Sequence, residues 1–126
     1  MLKQIIFSIF TIFLLTSCAS PKLEQKEFKL ISFGKSRMAV PKKANITLKD
    51  GQYFGYAGCN GMGGKYDMDG EKIKFHSGMS TMIACPDMRL ETKFRQLLEK
   101  VNNYKIEKDL LKLNQDENTL LIFKKL

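Results

Sequence analysis

Two Asp-Gly dipeptides, Asp50-Gly51 and Asp69-Gly70, punctuate the middle of this chain, and each lies between runs of alternating character. A tight hairpin turn needs positive φ at its centre, which glycine adopts freely and aspartate tolerates. An Asp-Gly pair between alternating runs therefore predicts two antiparallel strands. Before the first pair, Ala44, Ile46 and Leu48 alternate with Asn45, Thr47 and Lys49; after it, residues 52–57 supply Tyr53, Phe54 and Tyr56. Residues 65–68 and the alternating Lys72-Ile73-Lys74-Phe75-His76 flank the second. Period two places one face of each run in a core and the other in water.

The same alternation recurs at both ends. Phe28 and Leu30 alternate with Lys29 and Ile31, and residues 104–107, 110–113 and 119–125 form three further runs. Lys108-Asp109 and residues 115–118 separate the last three as turns. One segment has a different period: Leu90, Phe94, Leu97, Leu98 and Val101 fall on a single helical stripe, with charged residues around the rest. Pro86-Asp87 suits its start and Asn102-Asn103 its end. No second helix exists to receive that stripe, so it is expected to cover the sheet. The expected fold class is α+β: about eight short antiparallel strands forming a curved sheet or partial barrel, with one amphipathic helix packed on it.

The start of the chain speaks to location. Met1-Leu2-Lys3 precedes an uncharged apolar run over residues 5–15, the layout of a secretory signal peptide. The run is shorter than the roughly 20 residues a bilayer-spanning helix needs. It ends in Leu15-Thr16-Ser17-Cys18, which resembles the bacterial lipobox. That resemblance implies cleavage after residue 17 and a lipidated, palmitate-bearing Cys18. Residues 18–26 then read as a lipidated N-terminus and polar tether, and residues 27–126 as one domain. Ala19, in place of Asp, implies the outer membrane of a two-membrane bacterium, facing the periplasm. The net charge of +8 would suit nucleic acid, but the lysines are scattered without interleaved aromatics, and an exported lipoprotein does not meet nucleic acid. An anionic envelope surface or another envelope protein is the expected partner, besides the membrane through Cys18.

Apart from Cys18, the chain has two cysteines, Cys59 and Cys85, 26 positions apart. In an oxidising envelope such a pair reads first as a disulfide, with two buried thiols as the alternative. A thiol enzyme would use Cys59 as nucleophile, His76 as base and the amides of residues 58–64 as an oxyanion site. Against it, His76 is the only histidine and sits at the end of an alternating strand. Zinc lacks a Cys-x-x-Cys anchor, and Gly61-Met62-Gly63-Gly64 matches neither phosphate-binding glycine pattern. No catalytic residue, metal or cofactor is expected. The glycine-rich stretch 57–66 reads as a corner, using positive φ or close backbone approach, with Asn60 bonded to local backbone. Met62, Met68, Met79, Met82 and Met88 read as core filling. Any ligand groove is expected near them and near Tyr53, Phe54 and Tyr56.

Gly58-Cys59-Asn60, then Gly63 or Gly64 with Tyr66, then Ser80-Thr81-Met82-Ile83-Ala84-Cys85-Pro86 resemble the pattern of the META domain family, that of heat-inducible HslJ-type lipoproteins. The resemblance spans residues 28–126. Two positions depart from it: Phe28 stands where the family often has tryptophan, and Ile83 where it has methionine before Ala-Cys. The motif residues it marks are Gly58, Asn60, Gly64, Tyr66 and Thr81. It implies an envelope or secreted protein linked to heat shock, antibiotic tolerance or secretion, and transfers no catalytic residues. The expected function is a lipid-anchored, non-catalytic binding module of the envelope. An inhibitor or chaperone-like partner of another envelope protein is the alternative, and a thiol enzyme using Cys59 comes third.

Overall fold

The computed structural model describes Leu23 and residues 26–126; residues 1–17 and the expected lipidation site Cys18 lie outside the described residues. In chain order the elements are β1 (Lys26–Ser32), β2 (Asn45–Lys49), β3 (Gln52–Tyr56), β4 (Gly61–Asp69), β5 (Lys72–Phe75), β6 (Met79–Ser80), α1 (Arg89–Lys100), β7 (Asn103–Glu107), β8 (Leu110–Gln115) and β9 (Asn118–Lys125). Both Asp-Gly pairs make hairpins. Asp50 and Gly51 take φ of 51° and 74°, and Gly70 takes 58°. The turns before β8 and β9 use Lys108 and Asp116 at φ 57° and 53°.

The hairpins close into a ring. Its order is β3-β2-β1-β9-β8-β7-β5-β4, and β4 pairs back to β3, so the expected curved sheet is a closed antiparallel barrel. Closure leaves no long edge open to strangers. The seam is thin: β5 and β7 share one aligned pair, Lys72 with Asn103. Beside it, Tyr104 N–H donates to Glu71 O at 2.9 Å and Ile73 N–H to Asn102 O at 3.4 Å. β6 adds two residues along the edge of β4 that β5 leaves free.

Alternate residues fill the interior: Phe28 and Leu30 from β1, Ile46 and Leu48 from β2, Ile73 and Phe75 from β5, Leu111 and Leu113 from β8, Leu121 and Phe123 from β9. The stripe of α1 enters the same core. Phe94 is fully buried and meets Phe123 edge-on, with ring centres 6.2 Å apart. The helix thus packs against β5, β8 and β9. Its N-cap is Met88, without a side-chain cap bond, and Asp87 just before it bonds into the first turn, while Pro86 lies outside the helix. The Asp87 carboxylate accepts the Arg89 N–H at 3.0 Å and both ends of the Arg89 guanidinium fork at 3.1 and 3.0 Å. Those bonds hold the Asp87 carboxyl at about 2, below the ordinary aspartate range. At the other end Asn102 ties the helix exit to the β8–β9 turn, accepting Asp116 N–H and donating to Asp116 Oδ1, both at 2.9 Å.

Three features differ from the sequence reading. β4 begins at Gly61 and takes in most of the glycine stretch; only residues 57–60 form the corner. β6 was not expected at all. Leu23, inside the stretch read as tether, is fully buried in the core, and Lys26 opens β1.

Candidate functional site: an asparagine clamp beside an outer groove

At the corner after β3, Gly58 adopts φ 124°, a conformation that a side chain strains, and a Cβ there would come within 3.3 Å of the Pro41 ring. Cys59 follows and is bonded to Cys85, with the two Cα atoms 6.2 Å apart. Asn60 comes next and is buried at 3% exposure. Its Oδ1 accepts Ile83 N–H at 2.7 Å and the Thr81 hydroxyl at 2.9 Å. Its Nδ2 donates to Ile83 O at 3.2 Å and to Glu91 Oε2 at 3.1 Å. Every donor and acceptor of the carboxamide is thereby used, and the pattern assigns which atom is oxygen, since Ile83 presents both a donor and an acceptor.

The chemistry of this clamp is that of a strand. Thr81 N–H donates to Gly61 O at 3.0 Å, the last backbone rung between the 79–83 segment and β4. One step on, the Asn60 side chain meets both polar groups of Ile83 as a neighbouring peptide unit would. It extends the ladder by one rung where the backbone has turned away. Glu91, on the first turn of α1 and 2% exposed, receives the remaining Asn60 bond and pairs with Arg95 at 3.3 Å. Arg95 also donates to Ser80 Oγ at 3.2 Å. Corner, segment and helix are thus joined by one polar network with the disulfide at its side.

The structure brings Asn60, Thr81, Cys59 and Cys85 together. Gly64 and Tyr66 lie further along β4. A Cβ on Gly64 would sit 2.6 Å from His76 O and 2.8 Å from the Tyr53 ring, so the close approach of β3 and the chain after β5 requires glycine. Tyr53 donates to that same His76 O at 2.8 Å, and burial raises its phenol pKa, with Glu99 adding to the rise. Tyr66 is buried against Phe75, ring centres 6.2 Å apart. His76 does not meet Cys59: its Nε2 lies 2.6 Å from Asp67 Oδ2 at the surface. Among the described residues there is no cluster of three His, Cys, Asp or Glu side chains placed to hold a metal.

Outside the barrel the glycines have a second consequence. One outward row runs across the sheet by register: Glu27 with Thr47, Thr47 with Phe54, Phe54 with Gly63, Gly63 with Met79. At Gly63, and at Gly61 two residues earlier, β4 offers no side chain to this face. The result is a groove of about 910 Å³ along β4, walled by Phe54 on β3 and Met79 on β6, with Lys65, Asp67 and His76 at one end and Thr81 at the other. Phe54 is 54% exposed and Met79 87%. The methionines therefore divide. Met62 is buried and Met68 packs against the core, whereas Met79 and Met82 are exposed, which corrects their reading as core filling.

Glu91 escaped the sequence reading, which set it on the polar side of the helix. A signal was available: Glu91 precedes Phe94 by three and Leu98 by seven, on the buried stripe, with Arg95 four residues ahead to pair with it.

A ring of eight antiparallel strands packed on one helix, with a Gly-Cys-Asn corner clipped to a Thr-to-Cys segment, defines a small helix-plugged β-barrel domain. The META domain family model matches residues 21–126, and the chain belongs to that family. Two solved structures share the fold. The NMR structure of a protein from Burkholderia xenovorans superposes with a TM-score of 0.69 at 18% identity, over 88% of this chain and 94% of that one. The crystal structure of a DUF4847 family protein from Bacteroides vulgatus ATCC 8482 gives 0.62 at 18% identity, over 82% and 94%. No curated protein matches the chain in sequence.

Proposed function

We propose that this chain is a lipid-anchored bacterial envelope protein whose META domain is a non-catalytic binding module serving stress or antibiotic tolerance. The observation that carries the reading is the outer groove: a mostly apolar surface depression over the glycines of β4, with Phe54 and Met79 exposed along its rim. Exposed apolar patches of this kind mark contact surfaces. Cys59 is committed to Cys85 and His76 to Asp67, which supports a binding role over thiol chemistry. Anchoring is supported by the lipobox-like Leu15-Thr16-Ser17-Cys18, and outer-membrane residence facing the periplasm by Ala19. The net charge of +8 favours a neighbourhood of anionic envelope components. The link to stress and tolerance comes from the family resemblance.

Two measurements test it. Cys18→Ser is expected to move the chain from the membrane to the soluble fraction; continued membrane residence contradicts the anchor. Immobilised protein is expected to retain an envelope component that the Phe54→Asp variant does not, and equal retention by both contradicts the groove as the binding surface.

A further inference from the structure

We propose that the groove along β4 binds a single long alkyl chain of an anionic amphiphile, a free fatty acid in the simplest case, with its head group at Lys65. This rests on the reading of the domain as a binding module and names the ligand class for that site. Three observations lead there. The first is shape. The groove follows β4 from Gly61 to Asp67, about 20 Å of strand at 3.3 Å per residue. That length suits an extended chain.

The second is hydrogen bonding. The floor is the face of a sheet, not an edge. β4 is paired with β3 from Gly61 to Lys65. Its other side is held by β6, by Thr81 N–H to Gly61 O and by His76 N–H to Lys65 O. β4 has no backbone rung left to offer, and the outer edge of β6 spans only Met79 and Ser80. A peptide lying in the groove would bury most of its own amides without partners, whereas an alkyl chain makes no such demand. The third is charge. Asp67 and His76 bond each other at 2.6 Å, and Lys65, two residues before Asp67, makes no ion pair among the described residues. One ammonium at one end of a mostly apolar groove complements one anionic head on an apolar tail.

The groove also contains its own control. A Cβ built on Gly61 meets nothing within 4 Å, and its φ is not in the left-handed region. Gly61→Leu should therefore fill the groove and leave the barrel intact. The test titrates the purified chain with cis-parinaric acid, a fluorescent long-chain fatty acid, below its micellar concentration. Saturable binding of one probe per chain is expected. Gly61→Leu should weaken it at least tenfold with unchanged melting, and Phe54→Asp, at an exposed position, should do the same should Gly61→Leu fold poorly. Palmitate should displace the probe better than hexadecanol, and Lys65→Ala should erase that preference. Absence of saturation overturns the proposal. So does binding that neither groove variant weakens, displacement by an extended apolar peptide but not by palmitate, or affinity only for anionic vesicles. A groove-dependent envelope complex without probe binding removes the alkyl ligand and leaves the binding-module reading in place.

Discussion

Asn60 makes four side-chain hydrogen bonds to three residues. Its carboxamide is buried, fully bonded, and stands in for a strand at Ile83. Asn60→Ala strands the Ile83 N–H and C=O and takes a donor from the buried Glu91, so a loss of about 2–4 kcal/mol is expected. Urea denaturation reads it directly, and a loss under about 0.5 kcal/mol would mean that water replaces the clamp at no cost. A second residue-scale expectation concerns Asp87. Its carboxyl is held at about 2 by Arg89, below its unfolded value. The sign follows: the Asp87 contribution is present above the ordinary aspartate pKa and is lost as pH falls through the folded value near 2. An NMR titration should find the Asp87 midpoint near 2 and see it rise toward the ordinary range in Arg89→Ala; an unmoved midpoint would break the assignment.

Among the elements, β4 and the 76–83 segment are locked by absent side chains. A Cβ on Gly78 would collide with Gly63 O. Gly78→Ala must therefore push β6 off β4, and it is expected to destabilise by about 1–3 kcal/mol, while the open-space Gly61→Ala stays near neutral. Equal melting of the two variants would contradict the packing. This pair also explains what sequence could and could not reveal. The two Asp-Gly hairpins and the last three strands were legible because turn chemistry and alternation agree there. The first half of β4 was not, because Gly61, Gly63 and Gly64 have no side chains with which to alternate and glycine is a poor strand former on its own. β6 was hidden for another reason: Met79 and Ser80 pair only with residues already folded from elsewhere in the chain. Of the site, the cysteine pairing could be read from composition and compartment, whereas the local-backbone bonding expected of Asn60 is corrected: its four bonds go to Thr81, Ile83 and Glu91. The partners of Asn60, more than 20 residues away on a loop and a helix, follow no local period.

For the whole molecule, the ring is unevenly closed. β8 and β9 pair through six aligned residues, whereas β5 meets β7 at one. Local opening follows the weakest ladder. Native-state hydrogen exchange should find Ile73 and Tyr104 N–H opening ahead of the β8 and β9 amides, and uniform protection would show that α1 and the core hold the seam as firmly as the ladders. The fold also sets where function can reside. The core is filled, the corner is clamped, and the disulfide ties that corner to the segment leading into α1. Outward, the groove over β4 has the clamped segment itself as its far wall. Its shape depends on the motif, two of whose residues, Gly64 and Thr81, also line it.

That dependence makes the META motif one mechanical unit: Asn60 and the Cys59–Cys85 bond hold the same segment to the same corner. A double-mutant cycle in urea tests this most directly, combining Asn60→Ala with the paired Cys59→Ala and Cys85→Ala. Removing the bond across 26 positions should alone cost about 3–4 kcal/mol in the chain-entropy description. Together with Asn60→Ala the loss should fall short of the sum by about 1 kcal/mol or more, since whichever tie goes first frees the segment. Losses that add to within about 0.5 kcal/mol would show two independent devices and contradict the single clamp.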